Sequence, residues 1–119
     1  MFCMIASFNF NLANFATLAE AERHYLDYHV PLARRLPGLR QYLIGRAADF
    51  GPSAADRHRA ALLAFDDADA LRAAYRSDVG RELRADERRL ITDAAVVFVE
   101  AQSVLPTQGG PEPRGGNST

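Results

Sequence analysis

The sequence predicts an α+β domain whose elements follow one another as β–α–β–β–α–β, with a four-stranded antiparallel sheet. Three observations predict it. Runs rich in β-branched and aromatic residues alternate with segments of helical period. Both helical segments carry their own start signals, and the first also carries a stop signal. The strand-like runs are apolar on both parities, so both sheet faces need cover, which two helices cannot supply.

The first strand is Phe2 to Asn9, with Phe2, Met4, Ala6 and Phe8 on one face and Cys3, Ile5 and Ser7 on the other. An Asn-rich loop, Asn9 to Asn14, leads to the segment Thr17 to Gly38, around which the chain is organised. Thr17 and Glu20 have capping-box spacing, and Pro37-Gly38 ends the helix. At about 100° per residue, Leu18, Ala21, Tyr25, Tyr28, His29, Leu32 and Leu36 share one stripe. His29 occupies a stripe position where an aliphatic side chain is the default. Pro31, two residues on, deprives the Asp27 carbonyl of its partner and should kink or loosen the helix.

Gly38 to Ala48 reads as the second strand, with Tyr42, Ile44 and Arg46 on one side. Asp49 to Asp56 is a loop by composition. Arg57 to Phe65 is the third strand. Asp66 and Asp67 offer a cap for a short helix, Ala68 to Tyr75, and Ser77-Asp78 for another running to about Ile91. Ala94 to Leu105 is the last strand. Residues 106–119 are Gly/Pro-rich without a core-forming pattern and are expected to be a disordered tail, so the domain is expected to span residues 1–105. The order is the ferredoxin-like arrangement, with helices on one sheet face. The opposite face, drawn from Ile44, Leu62 or Leu63, and Val96 or Val97, would be exposed in a monomer. A homodimer is therefore expected, with a cavity between helix and sheet or at the sheet interface.

Composition narrows the function. The 119 residues carry a net charge of −1 with both signs mixed, which argues against a nucleic-acid partner. There is no lysine, so Schiff-base chemistry is excluded. The single Cys3 forms no internal disulfide and offers no zinc pair. No signal peptide and no apolar run of membrane-spanning length is evident, so no membrane partner and a cytoplasmic location are expected.

The run Tyr25-Leu-Asp-Tyr28-His29-Val-Pro31-Leu32-Ala33, followed by Leu36-Pro37-Gly38-Leu39 and Tyr42, resembles the EthD family, as does Ser77 to Ile91. The resemblance implies a homodimeric α+β barrel in bacterial catabolism or secondary metabolism. Family members include a muconolactone methylisomerase, and related barrels include polyketide cyclases and cofactor-free oxygenases. It implies a small-molecule site in which His29 matches a histidine on the first helix, and His58 one near the start of the third strand.

His29 is the expected general base or acid, since imidazole titrates near working pH and burial favours its neutral form. The alternative is a core histidine bonded to a carbonyl. His58 and Tyr28 complete the candidate catalytic set. Tyr25 and Tyr42 are candidate substrate donors, or core residues with hydroxyls at its edge. Arg46 could bind a carboxylate. His24 falls off the stripe and is expected in solvent; five residues from His29, it does not share the i, i+4 face that paired helix ligands use, and no metal is expected. Asp78 and Asp86 are expected to cap and solvate the second helix, with orientation of a histidine as the other use. The expected function is isomerisation, cyclisation or elimination by acid/base chemistry without a cofactor, on an aromatic, lactone or polyketide-derived substrate. The alternatives are cofactor-free oxygenation of a polyphenol, or non-catalytic binding of a small molecule.

Overall fold

Strand β1 (Phe2–Phe10) is the spine of the sheet in this computed structural model, which describes residues 1–52 and 56–105. It is followed by α1 (Leu18–His24), a π-helical turn (Tyr25–His29), α2 (Val30–Ala33), β2 (Gln41–Arg46), β3 (Arg59–Phe65), α3 (Ala68–Arg76), α4 (Asp78–Leu90) and β4 (Ile91–Glu100). The sheet order is β2-β3-β1-β4, with each neighbouring pair antiparallel. This is the ferredoxin-like α+β fold. The tail expected to be disordered, residues 106–119, lies outside the described residues, as do residues 53–55 of the expected loop.

Register decides which side chains share a face. Tyr42, Leu63, Met4 and Phe98 form one cross-strand row, and Ile44, Ala61, Ala6 and Val96 the next; both rows lie on the helix-bearing face. Leu43, Leu62, Ile5 and Val97 form a row on the other face, where Leu43 is 58% and Val97 52% exposed. The bare apolar face therefore holds Leu43, Leu62 and Val97, while Ile44 belongs to the helix side.

Strand β4 starts at Ile91, earlier than the sequence suggests, because Ile91 leaves the helix directly into extended backbone and pairs with Phe10. Its ladder ends at Glu100, opposite Phe2, with one further bond from Ala101 N–H to the Met1 carbonyl at 2.7 Å. Strand β2 is shorter than expected at both ends. Gly38 turns with φ +78°, and the ladder to β3 runs only from Gln41 to Arg46.

The caps behave as the spacing predicts. Thr17 Oγ1 accepts from Glu20 N–H at 3.1 Å, Asp67 from Ala70 N–H at 2.8 Å, and Ser77 from Gly80 N–H at 3.1 Å. At the α3–α4 corner a Cβ on Gly80 would lie 2.3 Å from the Ala74 carbonyl oxygen and 2.5 Å from Tyr75 Cα. This residue therefore sets how closely α4 follows α3. Among the described residues no helix is long and apolar enough to cross a membrane.

Candidate functional site

A cleft of about 750 Å³ opens between the helices and the helix-bearing sheet face. Met4, Ala6 and Phe8 floor it, Tyr25 and His29 form one wall, and Tyr75 and Glu87 the other. Tyr42 and Leu63 lie at the β2–β3 side, Val96 and Phe98 along β4.

The helical segment that supplies His29 is not a uniform α-helix. Val30 N–H bonds back to the Tyr25 carbonyl, an i→i+5 closure. Pro31 gives the cause. Its ring crowds the carbonyl four residues back, and it has no N–H to donate, so the preceding turn widens by one residue. Such single π-turns are frequent at functional sites. The consequence concerns spacing. In an α-helix, residues i and i+5 stand about 140° apart; across a π-turn they stand one above the other. His24 and His29 are thus brought to one side, and both meet Asp86 of α4.

His29 Nδ1 lies 2.8 Å from Asp86 Oδ2, and His24 Nε2 lies 2.7 Å from Asp86 Oδ1. His29 and Asp86 are buried, at 6% and 7% exposure. A carboxylate can only accept, so each histidine presents an N–H to it. That fixes the His29 tautomer with the proton on Nδ1 and a lone pair on Nε2, the nitrogen left for a bound molecule. Burial lowers the His29 pKa below its ordinary 6.5, against the opposing pull of the Asp86 carboxylate. His24 packs between the rings of Phe15 and Tyr28, at 5.2 and 5.1 Å. Its side chain keeps 20% exposure, so it is part of the buried cluster and not the solvent-facing residue its α-helical angle suggests.

Tyr25 is 1% exposed and stacks on His29 at 5.6 Å. Arg59, held by Glu22 at 2.9 Å, lies over the Tyr25 ring at 5.4 Å. Among the described residues the Tyr25 hydroxyl is a buried side-chain polar atom without a hydrogen-bond partner. The Tyr42 hydroxyl is near enough to bear on its ionisation without completing a bond of normal geometry. Burial pushes the Tyr25 pKa up to about 12 and raises those of Tyr42 and Tyr75, so all three keep their protons and remain donors. Glu87, on the same wall as Tyr75, is pushed up to about 7, mainly by burial and against the Arg84 charge. It enters the neutral pH range as a carboxylic acid.

Of the six residues singled out from sequence, His29, Tyr25 and Tyr42 line this cleft, and Tyr28, His58 and Arg46 do not. Tyr28 is 41% exposed, covers His24, and donates its hydroxyl to Glu82 at 2.7 Å. His58 stacks on Phe10, and its Nδ1 accepts from Phe10 N–H at 3.0 Å. The ladder with β3 begins only at the Phe8–Arg59 pair, so that N–H has no strand partner, and the imidazole supplies the acceptor. Arg46 is at the far end of β2, in a second groove with His58, Glu22 and Leu26. Asp86 and Glu87 were legible through one signal. Leu83, Asp86, Glu87 and Leu90 have i, i+3, i+4, i+7 spacing, which puts two carboxyls on the apolar stripe of α4. Among the described residues no group of three or more His, Cys, Asp or Glu side chains is placed to hold a metal ion.

No curated protein matches the chain. Among solved structures it is similar to an EthD family protein from Bacillus halodurans, at 24% identity and TM-score 0.70, covering 86% of this chain and 99% of that one. It is also similar to a dimeric ferredoxin-like protein of unknown function from Thermobifida fusca, at 21% identity and TM-score 0.66, covering 84% and 90%. A third is SnoaB, a cofactor-independent oxygenase from Streptomyces nogalater, at 21% identity and TM-score 0.63, covering 89% and 97%. These likenesses establish the fold. The EthD domain model matches residues 16–94, the stretch that runs from the first helix cap through α4 and contains His24, His29 and Asp86, and the chain belongs to the EthD domain family.

Proposed function

We propose that the cleft binds a small organic substrate and that His29 removes a proton from it, with no chemistry beyond that of the chain's own side chains. The observation that carries this reading is the His29–Asp86 pair: a buried imidazole, bonded at Nδ1 to a carboxylate, with Nε2 left for the cleft. The proton leaves a C–H beside a carbonyl, or a phenolic O–H, and moves to Nε2. The bonding pair stays on the substrate as an enolate or phenolate. Asp86 holds the imidazolium that forms. The unpartnered Tyr25 hydroxyl, beside Tyr42, donates to the oxygen on which charge develops. Glu87, partly protonated near neutral pH, can return a proton at another atom, which makes the net change an isomerisation, a cyclisation or an elimination. His24 keeps Asp86 anchored on its second oxygen and connects the buried pair to the partly exposed edge of the helix.

The functional unit is a homodimer. The bare row Leu43, Leu62, Ile5 and Val97 supports this, since a face of this kind is characteristic of an interface. The likeness to a dimeric ferredoxin-like protein supports it too.

His29→Asn tests the proposal. Exchange of deuterium from solvent into trial ketone and lactone substrates should fall by about 10²–10⁴-fold, the usual contribution of a positioned base, while sedimentation and circular dichroism remain those of the parent. A folded His29→Asn protein with undiminished exchange would leave the cleft a binding site and not a catalytic one.

A further inference from the structure

The charged side chains that line the cleft, apart from His29, are Arg72, Arg76, Arg84, Arg88 and Glu87. Four cations and one carboxyl line this cleft in a chain whose net charge is −1. The excess therefore comes from segregation, with the compensating acids placed elsewhere. Two of the arginines are already engaged. Arg72 Nη1 pairs with Asp69 at 2.6 Å, and Arg84 Nε lies 3.7 Å from Glu87. Arg76 and Arg88 have no carboxylate within ion-pair distance among the described residues. Glu87 offsets at most one of the four charges, and only in part near neutral pH, since burial raises its pKa to about 7. The interior of the same cleft is apolar and rich in rings: Phe8, Tyr25, Tyr42, Tyr75 and Phe98.

From this placement we infer that the substrate is an organic monoanion, a ring-bearing molecule whose carboxylate is taken by Arg76 and Arg88 while its apolar body lies over Phe8 and Phe98 towards His29. An arginine fork matches a carboxylate bidentately, and flat aromatic walls reward a flat ring. A mouth of one sign flanked by low-dielectric walls also concentrates anions before they enter. The division of labour is economical. The charge is read at the rim, where water still solvates the arginines, and the proton is moved in the interior, where His29 is kept neutral.

The inference rests on the reading of this cleft as the substrate site, but not on His29 as base, and a binding measurement separates the two. The probes are 1-naphthoate and 1-naphthamide, which share shape and differ in charge. Each is titrated into the full-length protein and followed by calorimetry at neutral pH. Naphthoate should bind about tenfold more tightly, the equivalent of one charge-assisted hydrogen bond. The advantage should shrink as salt is raised. In the Arg76→Gln, Arg88→Gln double variant the ratio should fall to about one, with naphthamide affinity unchanged. In His29→Asn the ratio should stay at its parent value whatever happens to turnover. Equal affinities in the parent protein, a ratio that survives the double substitution, an equal loss for both probes, or no binding of either would each overturn the inference.

Discussion

Glu87→Gln is the substitution whose effect can be worked furthest from the structure. Glu87 sits on the cleft-facing stripe of α4, with its side chain 28% exposed, and its pKa is raised from 4.5 to about 7. The dominant cause is burial, which penalises the carboxylate and not the acid. The sign follows by linkage. Below about pH 4.5 the group is protonated in the folded and unfolded chain alike and contributes nothing. Between there and about pH 7 the folded state holds a proton that the unfolded state has released, so stability falls as pH rises. Above about pH 7 both are ionised and the folded state carries the whole penalty. At 1.36 kcal/mol per pH unit the penalty is at most about 3 kcal/mol, and the water that reaches the cleft reduces it to about 1–3 kcal/mol. Glutamine keeps the shape and a hydrogen-bonding end but does not titrate. The variant should therefore match the parent near pH 4.5 and exceed it by about 1–3 kcal/mol near pH 8. Urea unfolding of both proteins at the two pH values measures this, and the groups common to both cancel in the difference. A stability difference that stays the same at both values, to within about 0.5 kcal/mol, would refute the argument that Glu87 is protonated by burial.

Four further outcomes follow from the geometry. The acid limb of the exchange rate should fall below pH 6.5, because burial depresses the His29 pKa and only the neutral ring is a base; Asp86→Asn should lower the rate by about 10²–10⁴-fold, since the amide no longer fixes the tautomer. Gly80→Ala should destabilise the protein by at least about 2 kcal/mol in thermal or urea melts, although alanine is the better helix former by about 1 kcal/mol, because its Cβ would collide with the backbone of Ala74 and Tyr75. Val97→Asp should leave a folded monomer in sedimentation at micromolar concentration, since it puts a charge at the exposed β4 end of the bare apolar row.

Much of the fold was legible because it rests on local rules. The β–α–β–β–α–β order came from hydrophobic period and from the caps at Thr17, Asp67 and Ser77, each of which acts over three residues and needs no tertiary context. Strand ends were less legible. Their limits are set by pairing across the sheet, as Ile91 shows by pairing with Phe10 directly after the helix. Gly80, which reads as a mild defect in a helix, proves to be the contact that lets α4 follow α3 closely.

The sequence by itself determined that His29 lies on the buried stripe of the first helix, and that Pro31 disturbs the helix beside it. It also determined that both faces of the sheet are apolar, since alternation along a strand is a property of the chain alone. Only the tertiary structure decided which groups His29 meets. Asp86 is 57 residues away and sits on another helix. Its carboxylate reaches both His29 and His24 because a π-turn replaces the α-helical spacing that would have separated the two rings. Likewise Tyr25 and Tyr42 entered the cleft while Tyr28, His58 and Arg46 did not, although all carried comparable local signals. The physical reason is one of range. Caps and periodicity are read from neighbours along the chain, whereas a site is made by side chains that approach across the fold, and small changes of helical register decide which of them meet.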